Sequence, residues 1–314
     1  MDNRVICVVG PTATGKTKMG VALAKRFGGE VVSVDSMQIY RGMTIGTAAP
    51  TAEETEGIPH HMVAVADPAE SWSVARFTEQ ADRCIQDILC RGRRPVLVGG
   101  TGLYLDSILS GRTFAAGHSG GEVRRALQTE LAQGGIEPLY RQLQAIDPTA
   151  AARLHLSDEK RILRALEVFR ETGETITAHD ARTRLRPPKY RAYTIGLTFR
   201  DRADLYERID CRVDTMVGQG LLQEVEALLK SGLPETTTAL QAIGYKQFLS
   251  VYRGDTPARD AVAEVKLRSR QYAKRQLTWL RRKEDIHWIL WEKTPDFPAG
   301  LQNATEYLLA QGLG

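Results

Sequence analysis

The run Val5-Ile6-Cys7-Val8-Val9 leads without a break into Gly10-Pro11-Thr12-Ala13-Thr14-Gly15-Lys16-Thr17. A β-branched apolar run suits a strand buried on both faces, and G-x-x-x-x-G-K-T is the sequence of a phosphate-cradling P-loop. Met19, Ala22, Leu23 and Phe27 follow at helical spacing. Together they restrict the start of the chain to strand, tight loop and helix. Glycines at 10 and 15 let the backbone curl so that several N–H groups converge on phosphate oxygens, and the helix N-terminus adds more donors. Lys16 would neutralise the terminal phosphates, and the Thr17 hydroxyl would ligate Mg²⁺. The bland alternative is a glycine-rich turn with no ligand; the chemical reading is a site for pyrophosphate or a nucleotide.

Further apolar runs at Val31–Val34, Val96–Val98, Tyr193–Phe199 and Ile286–Trp291 are mostly separated by helical patterns, which predicts an α/β protein built on a sheet. In parallel sheets ligands collect at the carboxyl ends of the strands. The second run ends in Asp35-Ser36-Met37-Gln38 and the third in Gly99-Gly100-Thr101-Gly102-Leu103-Tyr104. If these strands are neighbours, Asp35 and Thr101 face the phosphate site. From about Phe114 to Lys189 the β-branched runs stop, and helical patterns appear around Val123–Gln133, Glu137–Ala145 and Lys160–Thr172. That predicts a core from residues 1–114 and 190–314 and a helical insertion over 115–189. Gly117-His118-Ser119-Gly120-Gly121 and Pro187-Pro188 are its candidate hinges.

The 314 residues, 42% hydrophobic, are enough for one large or two moderate globular units. No apolar stretch is long enough to span a bilayer, and Met1-Asp2-Asn3-Arg4 runs into the first strand without a signal peptide, so a cytoplasmic location is expected. Cys7, Cys84, Cys90 and Cys211 form no C-x-x-C pair and read as reduced thiols. His60-His61 has no third ligand nearby, which argues against a metal there. The net charge of +4 is unevenly placed. Lys266, Arg268, Arg270, Lys274, Arg275, Arg281, Arg282 and Lys283 lie in one stretch without an acid, while the chain as a whole holds 42 basic and 38 acidic residues. The remainder is therefore net acidic. A helix over this stretch would turn Ala273, Leu277 and Leu280 inward and Arg270, Lys274 and Arg281 outward, a face suited to a phosphate backbone, with Tyr272 and Trp279 available for packing or stacking. The alternative is an ordinary solvated helix.

A conventional ATPase or GTPase also needs an apolar strand ending in Asp to orient Mg²⁺ and water. Here Val96-Leu97-Val98 ends in glycine, leaving Asp35 as the acid near the loop: a magnesium ligand, a base on a second substrate, or only a turn residue. Thr101 could orient a nucleophile or be part of a plain tight turn. Arg208 and Arg212, four residues apart on a helix, could clamp a pyrophosphate, or pair with Asp201, Asp204 and Asp210 at the surface.

Set in order, several motifs together resemble the bacterial tRNA dimethylallyltransferase (tRNA isopentenyltransferase) family over nearly the whole chain. They are Gly10–Thr17, Asp35-Ser36-Met37-Gln38-Ile39-Tyr40, Gly57-Ile58-Pro59-His60-His61, Gly99–Tyr104, Arg161-Ile162-Leu163-Arg164-Ala165-Leu166-Glu167-Val168, Gln241-Ala242-Ile243-Gly244-Tyr245-Lys246 and Arg270–Trp279. The resemblance implies an α/β fold with a P-loop NTPase-like parallel sheet core and a helical insertion domain that grips the tRNA anticodon stem-loop. It implies transfer of a dimethylallyl group from dimethylallyl diphosphate to N6 of adenosine 37 in tRNAs reading codons that begin with U, with Mg²⁺ and release of pyrophosphate, by a monomer. By motif match, Asp35 is the general base and Thr101 an active-site residue. Gly10, Thr12, Ala13, Thr14, Gly15, Lys16, Thr17 and Arg212 would hold the diphosphate, with Thr17 on the metal. The implied tRNA contacts are Asp35, Ser36, Met37, Gln38, Thr101, Arg124, Lys160, Arg161, Ile162, Leu163, Arg164, Gln241, Gly244, Tyr245 and Lys246, with Arg270 and Lys274 added from the basic helix.

One departure stands out: the family's Gly-Thr-Ala-Lys-Pro is here Gly46-Thr47-Ala48-Ala49-Pro50. If that lysine holds tRNA phosphate, binding is expected to be weaker or compensated, with Arg41 a candidate. A metabolite kinase, or an RNA-binding protein gated by nucleotide, would also fit the P-loop. Neither accounts for the ordered series.

Overall fold

The computed structural model describes residues 2–111, 121–184 and 187–313. Six strands, β1 (Arg4–Val9), β2 (Gly29–Val34), β3 (His60–His61), β4 (Arg94–Gly99), β5 (Arg191–Phe199) and β6 (Ile286–Trp291), form one sheet in the order β3-β2-β4-β1-β5-β6. Every pairing is parallel. Successive side chains of β1 point to opposite faces, and both faces are covered. Val5, Cys7 and Val9 enter one apolar cluster with Phe77, Ile85 and Leu97; Ile6 and Val8 enter the other with Leu23, Ile195 and Leu277. This double burial is why the strands read as continuous apolar runs rather than alternating ones.

The sequence reading missed β3, two residues too short to show a pattern. It explains His60-His61. Pairing with Val31 and Val32 holds the two histidines as a sheet edge; His61 Nε2 lies 2.7 Å from Glu30 Oε2, and His60 Nδ1 lies 2.8 Å from the Ile58 carbonyl. Among the described residues no three His, Cys, Asp or Glu side chains cluster as a metal site. All four cysteines are free thiols, and burial pushes the Cys7 thiol up to about 12. No helix among the described residues is long and apolar enough to cross a membrane.

The chain divides into two compact units, Met1–Leu109 with Tyr190–Gly314, and Ser110–Lys189. The Phe114 boundary and Gly117 through Gly120 lie outside the described residues. Within the second unit, helices Glu122–Gly134, Ile136–Ile146, Pro148–Ala151, Glu159–Thr172 and Ile176–Arg184 enclose their own core of Leu127, Leu139, Leu143, Ile162, Leu163 and Leu166. Asp147 ties this core's corner, accepting from the Ala150 N–H and from the Thr177 hydroxyl and N–H.

Candidate active site

Because β2, β4 and β1 are adjacent, their carboxyl ends place three loops side by side: Asp35–Gln38, Gly99–Gly102 and Gly10–Gly15. They open on a cavity of about 1140 Å³ lined by Thr12, Ala13, Gly15, Lys16 and Thr17, by Asp35 through Gln38, by Gly99 and Gly100, and by Arg208, Arg212 and Tyr272. The loop 44–49 and Gln241 through Gly244 complete the wall.

The P-loop is fixed from behind by the C-terminal part of the same unit. Trp291 Nε1 at the end of β6 donates to the Thr14 carbonyl at 3.0 Å, and the Phe297 ring packs on Gly15. Gly15 sits at φ +84°, and a Cβ there would lie 2.3 Å from the Phe297 ring, so both backbone and space require glycine. Thr14 is turned inward, its hydroxyl donating to the Pro11 carbonyl at 2.9 Å. Its side chain is thereby removed from a ligand, leaving its backbone as the part that belongs to the cradle.

Lys16 donates to the Pro11 carbonyl at 2.7 Å at the head of the helix Lys16–Arg26. Burial, reinforced by the charge of Arg212 and opposed by Asp35, holds its ammonium down to about 7. Burial also lowers Arg212, with Asp35 and Glu54 opposing. No ion pair of Lys16 or Arg212 with an acid is found among the described residues. Poorly solvated cations without a contacting carboxylate favour a bound anion, since only its charge offsets their desolvation. Arg208 reaches the same cavity, its Nε 3.5 Å from the Ala13 carbonyl. Among the described residues Arg208 and Arg212 form no ion pair with Asp201, Asp204 or Asp210: Asp201 caps its own helix at the Ala203 N–H, Asp210 binds Arg270, and Asp204 lines the cavity.

Asp35 faces these cations. Its Oδ1 accepts from the N–H groups of Met37 at 2.8 Å and Gln38 at 3.3 Å, an Asx turn that fixes the carboxylate and leaves Oδ2 without a hydrogen bond among the described residues. Thr101 is not itself part of the cavity wall, which reaches Gly99 and Gly100. Its Oγ is buried beside the Tyr272 phenol. Burial, with the nearby Asp35 charge, pushes the Tyr272 phenol up to about 12, so it stays a neutral donor beside the carboxylate.

The loop 44–49 is organised by one carboxylate. Glu224 accepts from the N–H of Thr44 (2.8 Å), Ile45 (2.8 Å) and Gly46 (3.0 Å), from the Thr44 hydroxyl, and from the Tyr245 phenol. Gln38 holds the loop's other side, its Nε2 donating to the carbonyls of Thr47 and Ala48. Sequence reading did not single out Glu224, which lies in a helical pattern with nothing local to mark it; it marked Tyr272 for packing or stacking on the basic helix but not as part of this cavity.

Several residues expected to touch RNA are placed otherwise. Tyr245 is fully buried and serves Glu224; Ile162 and Leu163 are buried in the second unit's core. Their side chains are out of reach of a macromolecule, so they shape the segments that carry Lys246, Lys160 and Arg161, all exposed. Arg164 and Arg124 both approach the buried Glu167, at 2.8 and 3.9 Å. Arg270 is half-buried against Asp210 rather than outward, whereas Lys274 is exposed. Trp279 lies against Gly102, with Lys283 4.7 Å over its ring, so it is packed rather than free to stack. Arg41 pairs with Asp67 (3.7 Å) and the Val65 carbonyl, and is not among the residues that line the cavity.

The family model described as "IPP transferase" matches residues 38–283, and one described as "Isopentenyl transferase" matches residues 3–64. The chain is 42% identical over 313 residues to the tRNA dimethylallyltransferase of Acetivibrio thermocellus, covering 100% of this chain and 99% of that one. It is 44% identical over 286 residues to that of Geobacter metallireducens, covering 91% and 92%. Among solved structures, the tRNA isopentenylpyrophosphate transferase of Bacillus halodurans is 40% identical, with a TM-score of 0.72 over 99% of this chain and 97% of that chain. A eukaryotic dimethylallyltransferase acting on tRNA is 30% identical, with a TM-score of 0.82 over 98% and 78%.

Proposed function

The chain belongs to the IPP transferase family, and from that premise we propose that its cavity transfers a dimethylallyl group from dimethylallyl diphosphate to N6 of adenosine 37 in tRNAs reading codons that begin with U. The observation that carries this reading is the placement of Asp35 opposite Lys16 and Arg212 in one cavity. An anion-binding half beside a fixed carboxylate suits a substitution in which a diphosphate leaves and an amine loses a proton.

In that reaction the N6 lone pair attacks the allylic carbon, the carbon–oxygen bond breaks, and its electron pair leaves with pyrophosphate. The backbone N–H groups from Ala13 to Thr17, with Lys16 and Arg212, take up the developing charge on the leaving group, while the Thr12 N–H is already given to Gln276 Oε1. The N6 proton passes to Oδ2 of Asp35, the oxygen that the Asx turn leaves open. No attacking water has to be positioned, so a second acid at the end of β4 is not required. The phenol of Tyr272, in the cavity wall, is the neutral group that would orient the adenine, with Thr101 behind it shaping the turn.

Mg²⁺ fits the donor set. Thr17 lines the cavity beside the cradle, and few protein ligands are expected where diphosphate oxygens and waters complete the shell. The ion would supply charge neutralisation of the diphosphate, held through Thr17. The base has to leave the anticodon loop to reach a site sunk beside the sheet. We assign phosphate contacts to the exposed cations Lys246, Lys274, Lys160 and Arg161, and to Arg124 and Arg164, with Ser36, Met37, Gln38, Gln241 and Gly244 nearer the base. We take the protein to act as a monomer in the cytoplasm.

Incubation with labelled dimethylallyl diphosphate and an unmodified tRNA carrying A36-A37 tests the proposal. Transfer of label to A37 is expected; folded protein that binds pyrophosphate yet transfers nothing refutes it.

A further inference from the structure

Prenyl transfer at this site needs the diphosphate cradle and the Thr101-bearing turn at a fixed separation. The sheet does not provide this by itself. The β1–β4 register ends at Val9 and Gly99, and the two loops continue beyond it. Gln276 spans the gap. It lies on the helix Ala258–Leu280 and is only 7% exposed. Its Oε1 accepts from the Thr12 N–H at 3.1 Å, and its Nε2 donates to the Gly100 carbonyl at 3.0 Å.

One side-chain amide therefore satisfies one backbone group of each loop. A side-chain amide carries a donor and an acceptor at one planar end, and Gln extends it one methylene further than Asn. The approach is close on the turn side: a Cβ at Gly100 would lie 2.1 Å from Gln276 Nε2. One turn further along the same helix, Trp279 closes on Gly102, where a Cβ would lie 2.3 Å from the indole. The helix thus holds the Gly99–Gly102 turn at two points and the P-loop at one.

We infer that Gln276 is a positioning residue that locks the diphosphate cradle to the Thr101-bearing turn, setting the distance between leaving group and adenine; this rests on the prenyl-transfer reading of the site. It does not touch the reacting atoms. Its removal frees Thr12 N–H and the Gly100 carbonyl to move independently, and misplacement of reacting groups by about 1 Å lowers rates roughly 100-fold.

The test compares the parent with Gln276→Met, which keeps length and loses both hydrogen bonds. Single-turnover transfer with both substrates saturating is expected to fall roughly 10–100-fold, with tRNA affinity within about twofold of the parent and the variant still folded at the assay temperature. Gln276→Glu keeps the acceptor for Thr12 but sets a carboxylate against the Gly100 carbonyl; it is expected to lose rate in the same range and serves if the Met variant does not fold. A saturating rate within about twofold of the parent in a folded variant overturns the inference. Affinity for inorganic pyrophosphate separates this from failure of the transfer reading. If the parent transfers no label, that reading falls; Gln276 still stands if Gln276→Met binds pyrophosphate at least about fivefold more weakly, and falls if the affinities match.

Discussion

Arg270 donates through Nη1 to both carboxylate oxygens of Asp210, at 2.7 and 2.6 Å, joining the helices Arg202–Gly218 and Ala258–Leu280. Lys266 meets Asp214 one turn earlier at 2.7 Å, and Lys283 meets Asp106. Acids distant in sequence thereby neutralise part of the basic stretch. Lys274, Arg275, Arg281 and Arg282 stay exposed, with no ion pair among the described residues.

The RNA-binding charge should therefore lie in this second group. Lys274→Ala and Arg282→Ala are each expected to weaken tRNA binding and to lower the slope of log affinity against log salt by about 0.7–0.9. Arg270→Ala is expected to lower the melting temperature and leave the slope unchanged. Filter binding across a salt series separates them; an equal slope change for Arg270→Ala would show that Asp210 does not neutralise it.

Lys16 gives a pH signature. Its pKa in the free protein is depressed to about 7, and a bound diphosphate favours the ammonium, so binding raises that pKa. At pH 8 the ligand-free lysine is largely neutral, and pyrophosphate binding is expected to take up a proton, with affinity falling as pH rises above 7. Calorimetry in two buffers of different ionisation enthalpy measures the uptake. Lys16→Arg, whose charge is fixed, should abolish the lysine's share; the same uptake in that variant would locate the proton elsewhere.

Asp35→Asn keeps the side chain's shape and an oxygen for the Met37 and Gln38 N–H groups. Loss of a positioned base typically lowers the rate by about 10²–10⁴. That loss is expected in single-turnover transfer, with tRNA affinity changed only a few fold. A near-normal single-turnover rate would remove Asp35 from the role.

Glu224→Ala strands three backbone N–H groups and the Tyr245 hydroxyl. Each unsatisfied buried group costs roughly 1–3 kcal/mol. The expected result is a clear fall in stability with a raised KM for tRNA, because the 44–49 loop lines the cavity. Tyr245→Phe removes one bond and should show a smaller version of both. Unchanged KM in a destabilised Glu224→Ala protein would confine the residue to folding.

What the sequence determined by itself is whatever is written in consecutive residues. The P-loop is legible because phosphate binding demands glycine, lysine and a hydroxyl at fixed spacing, and the buried strands because double-sided burial leaves unbroken apolar runs. Asp35 and the Gly99–Gly102 turn could be marked as strand ends, but their juxtaposition depends on β2, β4 and β1 being adjacent. Tertiary structure alone decided which polar groups meet across long separations. Gln276 and Thr12 are 264 residues apart, Glu224 and Thr44 are 180, and Arg270 and Asp210 are 60. It also decided that Tyr245, Ile162 and Leu163 turn inward, since a motif gives residue order and not the side of the chain that packing buries. Local rules act through neighbours a few residues away; buried hydrogen bonds and ion pairs form wherever folding brings a donor to an acceptor.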